Sequence, residues 1–394
     1  MKKLFTNFVV KKDFIEVVIL HDNKIQFVPV YQLHMPFKSH NMADLVEYLE
    51  LVKKTIKSKF NKHNTEMKYS LLLDDNLYKG IKLVNVEKNF DLKSNIVDQK
   101  VIKQINSFKN NELSTSNSNY VINSNTYLYK LVQNDEIKNY LKLPENNLGN
   151  ELKIYSSAFV VNNENLLSKI VETFKSYFPI ECVLLESQCL TYNSQTDDKY
   201  QIIVNFDWRN IIISGYLNKK HFYYNKIECN TREMIKYLKN SLNIPASQIG
   251  LYMDAVLSNY DFYSKTRMEL DNNEQKVYNF LSEIMKQIVT EVNSVINQNL
   301  NYNNVKVLLK GRNSEFLQKC FNEEYPNIST DIYDNKEAKL SNVRSSVLGA
   351  TYLLSQSKLR EKDLTKTLKD LPEWKPKNAI SRFFSKIFAF NKSI

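Results

Sequence analysis

Hydrophobic and polar positions along the chain alternate between two periods. Phe8–Val10, Ile15–His21 and Ile25–Tyr31 are short apolar runs rich in β-branched residues, and they predict three successive strands. The turn Asp22-Asn23-Lys24 joins the last two. Over Asn41–Phe60 the period becomes helical: Asn41 supplies an N-cap, and Leu45, Leu49, Val52 and Ile56 fall on one face. Tyr69–Leu73 is again a strand. From Asn85 to about Leu148, alternating stretches such as Tyr120–Tyr129 lie within Asn/Ser/Lys-rich chain, predicting a small inserted α+β unit with a loop over Asn110–Asn119. Glu151–Val161 then reads as a strand, Glu164–Tyr177 as a helix and Cys182–Ser187 as a strand.

A second series follows. Gln201–Phe206, Asn210–Tyr216 and Lys220–Asn225 predict three consecutive strands, and Thr231–Leu242, Pro245–Asn259 and Glu274–Asn297 predict helices. Val305–Leu309 is a strand, Ser314–Phe321 a helix, Thr330–Tyr333 a strand and Ser341–Ser355 a helix. Three strands, helix, strand and later helix therefore occur twice. Such doubling predicts two related α/β halves facing each other across a cleft.

The last segment follows neither series. At helical spacing Ile380, Phe383, Phe384, Ile387, Phe388, Phe390 and Ile394 share one arc. Ser381, Arg382, Ser385, Lys386, Ala389, Lys392 and Ser393 lie opposite. One face is greasy and aromatic; the other is small, polar and cationic. This composition fits a helix lying in the plane of an anionic bilayer, too short and too charged to span it. A charged spacer over 355–377 precedes it, with Pro372 and Pro376 setting an extended hinge around Trp374. Between Lys358 and Lys392 ten Lys/Arg face four acids, so +6 of the chain's net +11 sits in this short stretch.

Composition narrows the classes. With 43% hydrophobic and 12% aromatic residues, 394 residues suffice for two or more cores. No secretory signal or membrane-spanning run is read from the sequence. Cys182, Cys189, Cys229 and Cys320 form no Cys-x-x-Cys pair, and the five histidines form no metal-binding spacing, so no metal is expected. Outside the tail the positive excess is diffuse, with no dense basic cluster, and nucleic acid is not an expected partner. The acidic pairs Asp74-Asp75, Asp197-Asp198 and Glu323-Glu324 fall at strand ends or loops and are expected to be solvated. No nucleophile elbow or other catalytic set is present.

Several stretches, in order, resemble the FtsA family of bacterial actin-like proteins. Asn147–Val161 with Cys182–Ser187 resembles its strand–helix–strand entry into the second half. Glu228–Asn243 with Pro245–Ile249 resembles its helical pair, Val307–Arg312 its adenosine-binding turn, and Ser346–Leu354 its last core helix. The resemblance implies a two-lobed α/β, ribonuclease H-like (actin-like) fold with a C-terminal amphipathic helix. On it, residues 1–74 with 158–196 form the first core subdomain and 75–157 the insertion. Residues 197–221 with 305–354 form the second core and 222–304 the helical partner-binding subdomain. Residues 355–377 are the linker, and 378–394 the membrane helix. It further implies a peripheral location on the cytoplasmic face of the cell membrane at the division site. The implied partners are the carboxyl-terminal peptide of FtsZ, anionic lipids and further copies of itself.

The nucleotide motifs depart from that family. An actin-like site cradles phosphates with the backbone amides of glycine-rich turns. The first turn reads Lys11-Lys12-Asp13-Phe14. In the second, the family's acid becomes Asn205, its three glycines Asp207, Trp208 and Arg209, and its Thr Asn210. Of the adenosine turn's glycine pair only Gly311 remains, followed by Arg312. Lys11, Lys12 and Arg209 still offer cations to an anion. No cofactor is therefore expected, with ATP and Mg²⁺ the one to test, and the chain is expected to be a pseudo-ATPase. The alternatives are an active ATPase with drifted motifs, or an inner-membrane adaptor of another machinery such as type IV pili.

Overall fold

The computed structural model describes residues 2–37, 41–60, 65–77, 80–111, 119–134, 136–162, 166–193, 200–207, 210–228, 231–241, 243–265, 273–299, 305–311 and 314–356. Within them the chain divides into two compact units. The first is drawn from Met1–Asp197, Leu217–Phe222 and the residues from Asn335 onward; the second is drawn from Asp198–Tyr216 and Tyr223–Asp334.

The first unit begins with β1 (Lys2–Val10), β2 (Phe14–Asp22), β3 (Phe27–Pro36), α1 (Met42–Lys59) and β4 (Thr65–Leu73). An insertion follows: β5 (Lys82–Asp91), α2 (Gln99–Asn111), β6 (Asn119–Gln133), β7 (Glu136–Tyr140) and β8 (Glu151–Asn162). Then come α3 (Leu166–Tyr177), β9 (Ile180–Leu185), α4 (Glu186–Cys189) and a 3₁₀ turn, Leu190–Asn193. The main sheet has the order β3-β2-β1-β4-β9. β1 pairs antiparallel with β2 and parallel with β4, and β4 is parallel to β9.

Central strand β1 is buried on both faces, as its near-continuous apolar run requires. Phe8 meets Phe174 and Phe178, with ring centroids 5.1 and 4.8 Å apart. Phe5 and Val9, pointing oppositely by the two-residue period, join Val347, Leu348 and Leu354 in one core cluster. The insertion forms an antiparallel sheet, β5-β8-β6-β7, whose apolar face packs α2 through Val101, Ile105 and Phe108.

The second unit contains β10 (Tyr200–Asp207), β11 (Asn210–Leu217) and β12 (Lys220–Glu228). Four helices follow: α5 (Thr231–Ser241), α6 (Ala246–Ser258), α7 (Tyr260–Lys265) and α8 (Asn273–Asn299). β13 (Val305–Lys310), α9 (Ser314–Glu324) and β14 (Ser329–Ile332) complete it. Its sheet order is β12-β11-β10-β13-β14, with β10, β13 and β14 parallel. Numbered within each unit, both main sheets therefore run 3-2-1-4-5. The fold is the duplicated, actin-like α/β architecture.

Three expectations need correction. β1 starts at Lys2, not Phe8, because Lys2–Asn7 already pair with Thr65–Ser70. Buried Thr6 and Asn7 break the apolar pattern and hide the strand; Asn7 Nδ2 donates to Thr351 Oγ1 (2.9 Å), and Ser70 Oγ donates to Asn7 Oδ1 (2.7 Å). The helix expected over Ser341–Ser355 is two, α10 (Lys336–Ser341) and α11 (Ser345–Gln356), separated where Asn342 turns left-handed at φ 52°. Helix α11, expected in the second core, packs on the first sheet. Gly349 permits this approach, since a Cβ there would lie 1.9 Å from the Cys189 carbonyl oxygen.

Candidate functional site

In open α/β sheets the carboxyl ends of parallel strands are where ligands meet the fold. In the first unit the register aligns Val10 with Leu73 and Leu73 with Leu185, so β1, β4 and β9 end level. The next residues of the three strands are Lys11, Asp74 and Glu186, and they converge. Lys11 Nζ lies 3.0 Å from Asp74 Oδ2 and donates to Glu186 Oε2. These side chains are 17% (Lys11), 18% (Asp74) and 15% (Glu186) exposed. Ser346, at the start of α11, donates to Glu186 Oε1 at 2.8 Å. The turn itself closes through Lys11 N to Phe14 O (2.9 Å), and Asp74 N donates to Val10 O (3.0 Å).

Asp75 forms a second layer. It is 4% exposed and accepts from Ser187 N at 2.9 Å and Ser187 Oγ at 2.6 Å, tying the end of β4 to the start of α4. Burial lifts its carboxyl to a pKa of about 6 against the pull of those Ser187 hydrogen bonds. Burial alone would lower the Lys11 pKa, but the Glu186 and Asp74 carboxylates outweigh it and the net shift is upward. Lys11 is thus held as an ammonium.

This arrangement overturns two sequence expectations. Asp74 and Asp75 are not a solvated pair; one binds Lys11 and the other is buried. Nor is Lys11 a cation offered outward, because its ammonium is held by two carboxylates. Lys12 and Asp13 are exposed beside it on the turn. Asp74, Asp75, Glu186, Ser187 and Ser346 were not among the expected site residues. The available signal was a carboxylate directly following an apolar strand run, once in Leu73-Asp74 and again in Leu185-Glu186.

In the second unit Asn205 is half-buried and aligned with Lys310 across β10 and β13. Asp207 ends β10 and Asn210 begins β11. Gly311 follows β13 at φ 119°, and a Cβ there would stand 1.9 Å from the Phe206 carbonyl oxygen. The turn after β13 therefore presses on the end of β10 and requires glycine in both space and torsion. Lys310 extends over the Tyr333 ring at 5.5 Å. Trp208, Arg209, Arg312 and the tail residues Ile380–Ile394 lie outside the described residues. Among the described residues no three His, Cys, Asp or Glu side chains are grouped to hold a metal ion, and no helix is long and apolar enough to cross a membrane.

No protein-family model matches the chain, and no curated protein matches it. Solved structures do. A type IV pilus biogenesis complex, PilM–PilN, aligns at 8% identity over 87% of this chain and 96% of that one, with a TM-score of 0.43. MreB5 of Spiroplasma citri bound to ADP aligns at 7% identity over 90% and 97%, with a TM-score of 0.39. The ethanolamine utilization protein EutJ from Carboxydothermus hydrogenoformans aligns at 9% identity over 88% of each chain, with a TM-score of 0.36. At these identities and TM-scores the likeness says nothing of activity or partner.

Proposed function

We propose that this chain is a membrane-tethering adaptor of bacterial cell division, of the FtsA kind, that works by recognition rather than catalysis. The observation that carries the reading is the cationic, aromatic helical pattern of Ile380–Ile394 behind a charged, proline-hinged spacer, attached to a duplicated actin-like fold. On this reading the tail binds anionic lipid reversibly at the cytoplasmic face of the membrane. Self-association multiplies that affinity through avidity. The helices of the second unit, α5 to α8, receive the carboxyl-terminal peptide of FtsZ.

The Lys11 closure supports the absence of ATP turnover. A metal–triphosphate group at the end of β1 would need cationic or amide contacts from the first turn and acidic groups for its metal. Here the turn's buried cation and its two neighbouring carboxylates are paired with each other. The residues present do not fit Mg-ATP without breaking that set.

Co-sedimentation with anionic vesicles tests the tether: the full chain should pellet, and residues 1–377 should stay in the supernatant. Equal pelleting of the two would refute it. Immobilised FtsZ carboxyl-terminal peptide should retain the full chain, and failure to do so would refute the division partner. Calorimetry with Mg-ATP should give no micromolar binding; such binding would refute the pseudo-enzyme reading.

A further inference from the structure

The first unit contains a cavity of about 390 Å³ whose lining does not include Lys11. Its walls are the segment Ile122–Asn125 of β6, the edge strand β9, and the turn between β11 and β12 at Lys219–His221. That turn is fixed in place. Ser157 Oγ donates to the His221 carbonyl at 2.7 Å, and Asn85 Nδ2 donates to the Phe222 carbonyl at 3.1 Å. The His221 ring stands edge-on to Phe159 with centroids 5.1 Å apart.

The turn is also strained in a revealing way. Asn218 and Lys219 have φ of 49° and 65°, the left-handed pair of a two-residue hairpin. Asn followed by Gly is the low-energy choice there, yet this chain places Lys219 in the strained position and Lys220 after it. Both are half-buried, both line the cavity, and neither side chain makes a hydrogen bond or ion pair among the described residues. Lys175, the third cation of the lining, is already engaged by Glu172 (3.1 Å) and the Tyr120 hydroxyl (3.3 Å). Glu181 is the lining's acid, so with Lys175 balanced by Glu172 the remaining cations outnumber it two to one. Opposite them, Asn125 Oδ1 is buried without a hydrogen-bond donor. Asn123, beside it, is locked by donating to the Val183 carbonyl (2.8 Å) and to Gln188 Oε1 (2.7 Å).

We propose that this cavity binds a phosphate monoester. Such a group bears a charge of about −1.5 to −2 at neutral pH and presents acceptor oxygens for the Lys219 and Lys220 side chains. The volume lies within the range of small-molecule sites, so the ester is a small one. The rigid hairpin fixes the backbone that carries both lysines, so only their side chains are ordered at binding.

The test uses the full chain. Glycerol 3-phosphate is titrated by calorimetry, with glycerol as the uncharged control. Phosphatidate vesicles are compared with phosphatidylglycerol vesicles of equal surface charge. Binding of glycerol 3-phosphate identifies a free ester. A preference for phosphatidate alone identifies the same headgroup chemistry on a lipid, and either supports the proposal. Lys219→Asn removes the charge while relieving the left-handed strain, so it should melt no lower than wild type yet bind about tenfold more weakly. Lys220→Gln should weaken binding similarly, and the arginine variants should retain it. The proposal is overturned if neither the ester nor phosphatidate is preferred, or if Lys219→Asn binds as wild type does.

Discussion

The ion set at the ends of β1, β4 and β9 makes a quantitative prediction for Lys11→Gln. The substitution keeps one hydrogen-bond donor near Glu186 but removes the charge that Asp74 and Glu186 share. Breaking a fully buried ion pair costs about 3–5 kcal/mol. Here the acids retain 18% and 15% exposure, and glutamine recovers one bond, so about 2–4 kcal/mol is expected. For a unit of this size that lowers the melting temperature by about 5–12 °C. The pH dependence has a definite sign. A raised Lys11 pKa means its stabilisation is intact below the unfolded value of 10.5 and is lost only as pH rises through the higher folded value. In the variant the cost comes from two carboxylates left without their cation. Differential scanning calorimetry of both proteins at pH 7.5 measures the gap, and hydrogen exchange of the β1, β4 and β9 amides locates it. The double variant Lys11→Gln/Glu186→Gln should recover part of the loss, since the two substitutions share one interaction. An unchanged melting temperature at pH 7.5, or no recovery in the double variant, would refute the reasoning.

Other perturbations read other parts of the structure. Asp75 has its pKa raised from 3.8 to about 6 in the fold, so its contribution is complete below the unfolded value and lost as pH rises through about 6. Asp75→Asn, which keeps an acceptor for Ser187 N, should therefore stabilise the first unit by up to about 3 kcal/mol at pH 7.5 and by nothing near pH 4. Denaturant midpoints across that range check it; a loss of stability at pH 7.5 contradicts it. Gly311→Ala forces a Cβ against the Phe206 carbonyl at a φ that disfavours side chains, with an expected cost of about 2–4 kcal/mol. Hydrogen exchange should accelerate in β10 and β13 and stay unchanged in β1 and β4.

The duplicated series of strands and helices was legible in the sequence because it is set by core-forming runs. Phe8–Val10, Tyr69–Leu73, Gln201–Phe206 and Val305–Leu309 are apolar by necessity, and each sits in a central parallel position. The N-terminal half of β1 was not legible, since its register depends on buried Asn7 bonding to Ser70 and Thr351, partners 63 and 344 residues away. The placement of α11 was hidden for a similar reason. Its apolar face fits either sheet, and the choice rests on contacts such as Gly349 against the Cys189 carbonyl. Local pattern carries no information about which of two similar surfaces a helix covers.

The same division separates what holds the sheets from what sits at their ends. The sheets are fixed by side chains pointing up and down from the strands, and most of those positions are apolar in both units. The residues just beyond the strand ends contribute little to either core and are free to acquire other chemistry. In the first unit that chemistry is Lys11, which neutralises carboxylates that would otherwise face each other with no cation between them. In the second it is a backbone approach, Gly311 onto Phe206, that leaves no room for even a methyl group. The two ends are closed by unrelated means, one electrostatic and one steric. If Lys11 were an incidental surface cation, its replacement would leave the strand-end carboxylates undisturbed. The part of the Lys11→Gln loss that the second substitution, Glu186→Gln, recovers therefore measures how much of the first closure is electrostatic.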